Sequence, residues 1–474
     1  MRAWLLVASL ALAGCASLPT PVPEPVQAAL DKAGLPAQSL GFVLQPLDGS
    51  RPALQRRADD AMVPGSTMKL VTATVALDQL GINHRGRTEL LAAAAPRDGV
   101  IDGPLILRGV ADPDLDWPAL WWLLRQVRES GVRDIRGGLV IDRTLFNPTR
   151  FDVGLPPFDE APEFGYNVIP DALHFNGSLL DYDLQATPTG VTARSVPALA
   201  GLTVDASAMA LSATRPCKDW DNDWKPAQAL PRADGLTLQL NGAFPASCRQ
   251  RASLQLVDRQ WLVTHAVRQI WAELGGTMGA GDAEAAAPAG AVVLAMHRGR
   301  PLAEVLRGVM KSSDNALTRL IYLQLGAQAA QPGEHTLAAS ERVVRAWFAT
   351  QGVSDRGLVL DNGSGLSRTE RISPAQLAGL LRAGQRGAQA PELLGTLPVA
   401  GLDGTMTRRL KDTPAAGKAR LKTGTLRDAV GLAGFVPDAN GKPWVFVALV
   451  NDPAAAAKGR PVLDALVNWV AQQR

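Results

Sequence analysis

The chain has 474 residues, 46% hydrophobic and 20% charged, with 48 Lys+Arg against 45 Asp+Glu for a net charge of +3. That length supports two to three domains with ample core, and so balanced a charge excludes the basic footprint of a nucleic-acid-wrapping protein. Five scattered histidines without a His-Glu-x-x-His pair, and the three cysteines Cys15, Cys217 and Cys248, argue against a zinc hydrolase or ribbon, so neither a metal nor another cofactor is expected.

Met1-Arg2 supplies a positive start and Ala3 to Ala13 an apolar run, short of the roughly 20 residues that a membrane-spanning helix needs. Residues 1–14 read as a secretory signal. Its end, Leu12-Ala13-Gly14-Cys15, resembles the lipobox of bacterial lipoproteins, where the chain is cut before the cysteine and the new N-terminus is lipidated. An ordinary signal with a chance cysteine is the alternative. Pro19, Pro21, Pro23 and Pro25 recur every second residue, which predicts an extended, semi-rigid tether over 15–36. The protein is therefore expected on the periplasmic side of the cell envelope, anchored to the membrane through lipid on Cys15. Ala16 in place of Asp after that cysteine points to the outer membrane in a Gram-negative cell. Cys217 and Cys248 are then left as a pair in an oxidising compartment. A disulfide between them would close a loop of about 32 residues and add roughly 3.7 kcal/mol in the chain-entropy model; two unpaired thiols are the other reading.

Leu40 to Leu47 has the apolar content of a strand, ended by Pro46 and followed by the turn pair Asp48-Gly49. A helix follows Ser66, with Met68, Val71, Val75, Leu77 and Leu80 on a broad apolar face and Gly81 as its stop. From about Leu90 to Asp258, short strand-like pieces such as 104–108 and 138–142 alternate with loops rich in Pro, Asp and Trp, interrupted by a helix near 117–127. Ala283 to Gly290 reads as a surface loop. Three strands over 419–426, 430–436 and 444–451, the last two joined by the turn pair Asn440-Gly441, precede a closing helix from Pro461 to Gln473. The prediction is an α+β fold, an antiparallel sheet covered by helices. Its catalytic part would be discontinuous, 37–89 and 259–474, around a mostly β insertion at 90–258.

Three short motifs carry chemistry. In Ser66-Thr67-Met68-Lys69, positions i and i+3 of a helix share a face, so the amine reaches the hydroxyl. A serine hydroxyl needs such a base, and a lysine serves if burial and neighbouring charge hold it neutral. In Ser313-Asp314-Asn315 the serine can relay a proton to a leaving amine and the asparagine can hold a substrate amide, although the same residues also suit a plain helix cap. In Lys422-Thr423-Gly424-Thr425 a lysine and two hydroxyls on a strand edge can receive a carboxylate, and glycine permits close approach. The Thr425 and Ser66 N–H groups could together form an oxyanion hole. Each motif alone is a common accident; in this order they form the set that β-lactamases and penicillin-binding proteins share.

The chain resembles the low-molecular-mass class C penicillin-binding proteins, the D-alanyl-D-alanine carboxypeptidase/endopeptidase family. Beyond the motifs, the resemblance covers VPGSTMKLVTA, LRGVADPDL, GGLVIDRTLF, KSSDNALTRL, LDNGSGLSRTERISP, PVAGLDGTMTRRL and LKTGTL. The long gap between Ser66 and Ser313, which holds extra β-rich domains in that family, separates it from class A β-lactamases. The resemblance implies a penicillin-binding-protein/β-lactamase-like fold and a serine DD-peptidase acting on peptidoglycan stem peptides, with β-lactams as covalent inhibitors. Ser66 would attack the carbonyl between two D-alanines, with Lys69 as its base, and Ser313 would pass the proton to the leaving amine. Asn315 would bind the peptide, and Lys422, Thr423 and Thr425, with Gly424 between them, the terminal carboxylate. Two rival readings remain at this level: a β-lactamase, for which no water-activating carboxylate appears at class A spacing, and a catalytically silent peptidoglycan-binding lipoprotein. Trp117, Trp121, Trp122, Trp220 and Trp224 suit either packing or sugar stacking, and Arg408, Arg409 and Lys411 either a solvated face or an anionic ligand.

Overall fold

The computed structural model describes residues 21–474. Cys15 and the signal sequence lie outside them. A five-stranded antiparallel sheet, in the order Arg420–Leu426, Ala429–Pro437, Pro443–Asn451, Leu40–Pro46 and Leu54–Arg56, forms the centre of the catalytic part. Side chains alternate across a strand, and here both faces are buried. In the strand from Pro443, Trp444, Phe446, Ala448 and Val450 join one core, while Val445, Val447 and Leu449 join the other. Phe42 and Leu44, with Val430, Leu432 and Val436, extend the first core; Val43, Ala433 and Phe435 extend the second. That explains the continuous apolar runs of these strands.

The C-terminal helix Arg460–Ala471 covers the first face through Val462, Leu463, Leu466, Val467 and Val470. Beside it lies the helix Glu24–Ala33, which corrects the tether expected over 15–36. Pro25 sits in the first helical turn, where its missing N–H costs nothing. Val26 and Leu30, four residues apart, are fully buried in the same core, and Gly34 closes the helix in the left-handed conformation. Burying two such side chains contributes about 3–6 kcal/mol, more than an extended spacer could gain. The second face is covered by Lys69–Gln79, Leu302–Ser312, Asn315–Ala329, Thr336–Thr350 and Pro374–Arg386. The helix from Lys69 is buried all round over 69–77, not on one face only. It ends at Gln79, two residues before Gly81, whose φ of 86° turns the chain out.

The inserted region contains a mixed five-stranded sheet, Ala283–Glu284, Leu139–Asp142, Leu105–Val110, Arg87–Ala92 and Val292–Arg298. Smaller sheets are built from 180–196 with 249–254 and from 202–245. Two boundaries differ from the sequence reading. The helix Arg259–Glu273 and the strand Val292–Arg298, assigned to the catalytic part, pack here: Leu262, Val263, Ala266, Val267, Ile270, Trp271 and Ala295 belong to the core of the insertion. Within the surface loop expected at 283–290, Ala283 and Glu284 pair with Val140 and Ile141. No apolar period marks that edge, since both residues are exposed. Cys217 and Cys248 form a disulfide in this region. Trp117 packs against Phe175, and Trp220 and Trp224 pack against each other and against Phe164. Asp171, fully buried, accepts from Arg143 Nε at 2.8 Å and Arg259 Nη1 at 3.3 Å, an ion cluster that needs both partners to offset its desolvation. Phe146, Phe151 and Ala172 of the insertion meet Leu320 and Leu323 of the 315–329 helix, which seats the insertion against the catalytic part.

Candidate active site

Ser66 lies in a 3₁₀ turn, Gly65–Met68, that leads into the helix beginning at Lys69. The sequence had placed it at the first turn of the helix itself. The turn packs directly against the Lys422 strand. A Cβ on Gly424 would lie 2.5 Å from the Pro64 carbonyl oxygen and 3.0 Å from the Ser66 nitrogen, so no other residue allows this approach. Gly65, at φ 51°, faces Thr425 in return: its Cβ would come within 3.1 Å of the Thr425 nitrogen. Ser313 ends the helix Leu302–Ser312 in the left-handed conformation (φ 63°, ψ 40°), and Asp314 caps the next helix by accepting from Leu317 N–H at 2.8 Å. The cap reading of Ser-Asp-Asn is thus correct for Asp314, and it is the cap that turns Ser313 and Asn315 into the site.

Lys69 Nζ is fully buried and has three oxygen neighbours: Ser66 Oγ at 3.0 Å, Asn315 Oδ1 at 2.6 Å and the Ser364 carbonyl at 2.5 Å. A neutral amine has two N–H groups and one lone pair. The two carbonyl oxygens can only accept, so they take both N–H groups, and the lone pair is left facing the Ser66 hydroxyl. Burial lowers the Lys69 amine to about 7, against the opposing pull of the Glu370 and Asp314 carboxylates. The surroundings therefore favour a neutral amine at Lys69.

Lys422 Nζ, also buried, donates to Ser313 Oγ at 2.8 Å and to the Thr423 carbonyl at 2.8 Å. Burial first, then the charge of Lys69, hold it well below the usual lysine range. A substrate carboxylate entering beside it would restore its proton. Ser313 thus stands against Lys422, while Lys69 stands against Ser66 and Asn315. Thr423 Oγ1 donates to Thr405 Oγ1 at 2.8 Å. Ser66, Ser313, Asn315, Thr423 and Thr425 all line one cleft of about 730 Å³. Among the described residues no group of three His, Cys, Asp or Glu side chains could hold a metal ion.

Asn315, expected to bind the substrate peptide, also holds the site together: Oδ1 accepts from Lys69, and Nδ2 donates one N–H to the Tyr166 carbonyl at 3.0 Å, leaving its second N–H for a ligand. Tyr166 comes from the insertion and lines the cleft, its hydroxyl donating to Asp159 at 2.8 Å. Arg319 holds the same segment, donating to the carbonyls of Asn167 and Val168 at 3.1 and 2.9 Å. Nothing in the local pattern of the insertion indicated this contact.

The loop after Asp361 supplies groups to which the motifs assign no role. Its Ser364 carbonyl holds Lys69, and the Glu370 carboxyl holds the loop, accepting from the N–H groups of Gly363 at 2.7 Å and Gly365 at 2.9 Å. Thr72, on the helix of Lys69, donates to the Gly363 carbonyl at 2.7 Å. Complete burial pushes Glu370 up to about 7. The turn pairs Asn362-Gly363 and Ser364-Gly365, both glycines at positive φ, were the available signal.

The family model described as the D-Ala-D-Ala carboxypeptidase 3 (S13) family matches residues 23–473. The chain is 31% identical over 491 aligned residues to a D-alanyl-D-alanine carboxypeptidase of Actinomadura sp. (strain R39), covering 99% of this chain and 88% of the relative. To D-alanyl-D-alanine carboxypeptidase DacB of Haemophilus influenzae it is 27% identical over 428 residues, with 87% and 85% covered. The crystal structure of penicillin binding protein 4 from Haemophilus influenzae has the same fold, with a TM-score of 0.80 at 23% identity over 94% of this chain and 99% of that one. Similarity at this coverage spans both the catalytic part and the insertion, and the chain belongs to the D-Ala-D-Ala carboxypeptidase 3 (S13) family.

Proposed function

We propose that the protein is a serine DD-peptidase that cleaves the bond after a D-alanine in peptidoglycan stem peptides, as a carboxypeptidase and at cross-links, through an acyl-enzyme on Ser66. The observation that carries this reading is the environment of Lys69: two carbonyl acceptors and burial leave its lone pair directed at the nucleophile. Lys69 takes the Ser66 proton as Oγ attacks the carbonyl. The N–H groups of Ser66 and Thr425 stabilise the oxyanion. Ser313, held by Lys422, delivers a proton to the departing amine, while Lys422, Thr423 and Thr425 receive its carboxylate. The C–N bond breaks, and water then hydrolyses the ester.

A penicillin would acylate the same serine, and its ring-opened leaving group, still attached, would slow deacylation. The H. influenzae fold relative is named a penicillin-binding protein, and a penicillin G-acylated predatory endopeptidase of Bdellovibrio bacteriovorus matches with a TM-score of 0.51 at 13% identity. The geometry disfavours a β-lactamase, since the buried Glu370 carboxyl is committed to backbone N–H groups and does not line the cleft. That Ser66, Ser313, Asn315, Thr423 and Thr425 line one cleft, with Lys69 and Lys422 buried against its two serines, likewise disfavours a silent binding protein. We read Leu12-Ala13-Gly14-Cys15 as the export and anchoring signal of a lipoprotein on the periplasmic side of the envelope.

Fluorescent penicillin, followed by gel imaging, tests the assignment together with D-alanine release from a pentapeptide. Wild type is expected to label and to release D-alanine, and Ser66→Ala to do neither. Equal labelling of the two proteins would overturn the reading.

A further inference from the structure

The cleft does not end at the Lys-Thr-Gly strand. Beyond Thr423 and Thr425 its wall is formed by the segment from Gly404 to Arg409 and by Arg460, the first residue of the C-terminal helix. This wall is built in, not appended. Thr405 bonds Thr423, and Gly404 is wedged so tightly against the 302–312 helix that a Cβ there would lie 2.7 Å from the Lys311 carbonyl oxygen. Arg409 donates to Asp464 at 2.6 Å and to the Arg460 carbonyl at 3.3 Å, tying the segment to the helix start. The wall carries the guanidinium groups of Arg408, Arg409 and Arg460 against the one carboxylate of Asp464, which Arg409 already engages. Among the described residues Arg408 and Arg460 have no ion-pair partner, and both are exposed.

The position of this wall assigns it to one half of the substrate. If Thr423 and Thr425 hold the carboxylate of the leaving residue, whatever extends past them belongs to that residue. Tyr166 and Asn315, bonded to each other and linked through Lys69 to Ser66, line the cleft on the Ser66 side and would face the acyl half. Alanine, with a single methyl, would leave the arginines unused.

We propose that Arg408 and Arg460 form a leaving-group subsite for a D-residue larger than alanine whose side chain carries a carboxylate. The inference rests on the DD-peptidase reading above and names the kind of cross-link or modified terminus it would cut. The chemistry is unchanged: the amide C–N bond breaks, the nitrogen of the anionic residue takes the relayed proton, and water releases the acyl group. Charge complementarity of this kind selects between partners more than it adds raw affinity.

The test compares diacetyl-L-Lys-D-Ala-X peptides in which X is D-Ala, D-Glu or D-Lys, measuring kcat/KM for each with the full-length protein. Wild type is expected to favour D-Glu over D-Lys by roughly tenfold. The Arg408→Ala/Arg460→Ala double variant should bring that ratio close to one, and Arg408→Glu/Arg460→Glu should invert it in favour of D-Lys. Inversion is a gain that a folding defect cannot produce. A wild type indifferent to the charge of X, or a ratio that neither double variant moves, overturns the subsite while leaving the DD-peptidase reading in place, provided D-Ala is released or penicillin acylates Ser66. A protein that cleaves no peptide and takes up no penicillin overturns both.

Discussion

Lys69 and Glu370 both bond the loop at 363–365, and both are moved toward neutrality by the same cause, loss of water. For Lys69 the direction sets the pH profile. Its ammonium form dominates below about 7 and its free amine above, so the rate of acylation by a fluorescent penicillin is expected to rise through about pH 7 and level off beyond it. Glu370 acts on that limb in two ways. Its negative charge favours the ammonium form of Lys69, and its two oxygens hold the loop whose Ser364 carbonyl fixes the amine. Glu370→Gln should therefore shift the rising limb to lower pH. It should also lower the plateau roughly tenfold, because an amide cannot accept from both Gly363 and Gly365 and leaves one buried group unpaired. Stopped-flow acylation over a range of pH measures both; a limb that stays in place would show that the carboxylate does not act on the base.

At the scale of the element, the site depends on how closely a strand and a turn approach. Gly424→Ala would put a methyl 2.5 Å from the Pro64 carbonyl oxygen and push the Lys-Thr-Gly strand off the Ser66 turn. Relieving such overpacking costs about 1–3 kcal/mol. We expect acylation to fall at least about tenfold with the far-ultraviolet circular dichroism unchanged; wild-type acylation would show that the close contact is dispensable. The elements themselves were largely legible. The strands at 420–426, 429–437 and 443–451 and the closing helix differ from the sequence reading by one or two residues, because their apolar runs and turn pairs were explicit. The helix Glu24–Ala33 was missed because four spaced prolines read as a spacer, and only burial of Val26 and Leu30 against the C-terminal helix outweighs them. The boundary at 259 was misread because the buried face of the 259–273 helix does not say which core it faces.

For the molecule as a whole, the helix Glu24–Ala33 packs beside the C-terminal helix and so belongs to the folded part, although it lies within the tether expected over 15–36. Radiolabelled palmitate should enter the wild-type protein and not Cys15→Ala, which should appear in the soluble periplasmic fraction; a Cys15→Ala protein that still pellets with membranes would remove the lipid-anchor proposal. The identity and order of the chemical groups were readable along the chain: Ser66 with Lys69, Ser313 with Asn315, and Lys422 to Thr425. Serine–lysine spacing on one turn is a local property, and the capping residues and strand patterns around the other two motifs are local as well. What those groups experience depends on the closed fold. Burial favours the neutral amine of Lys69, a carbonyl from residue 364 and an amide from residue 315 orient it, and Tyr166 of a separate region completes the cleft wall. Such contacts join residues hundreds of positions apart. Desolvation and long-range hydrogen bonding exist only once the chain has closed around them.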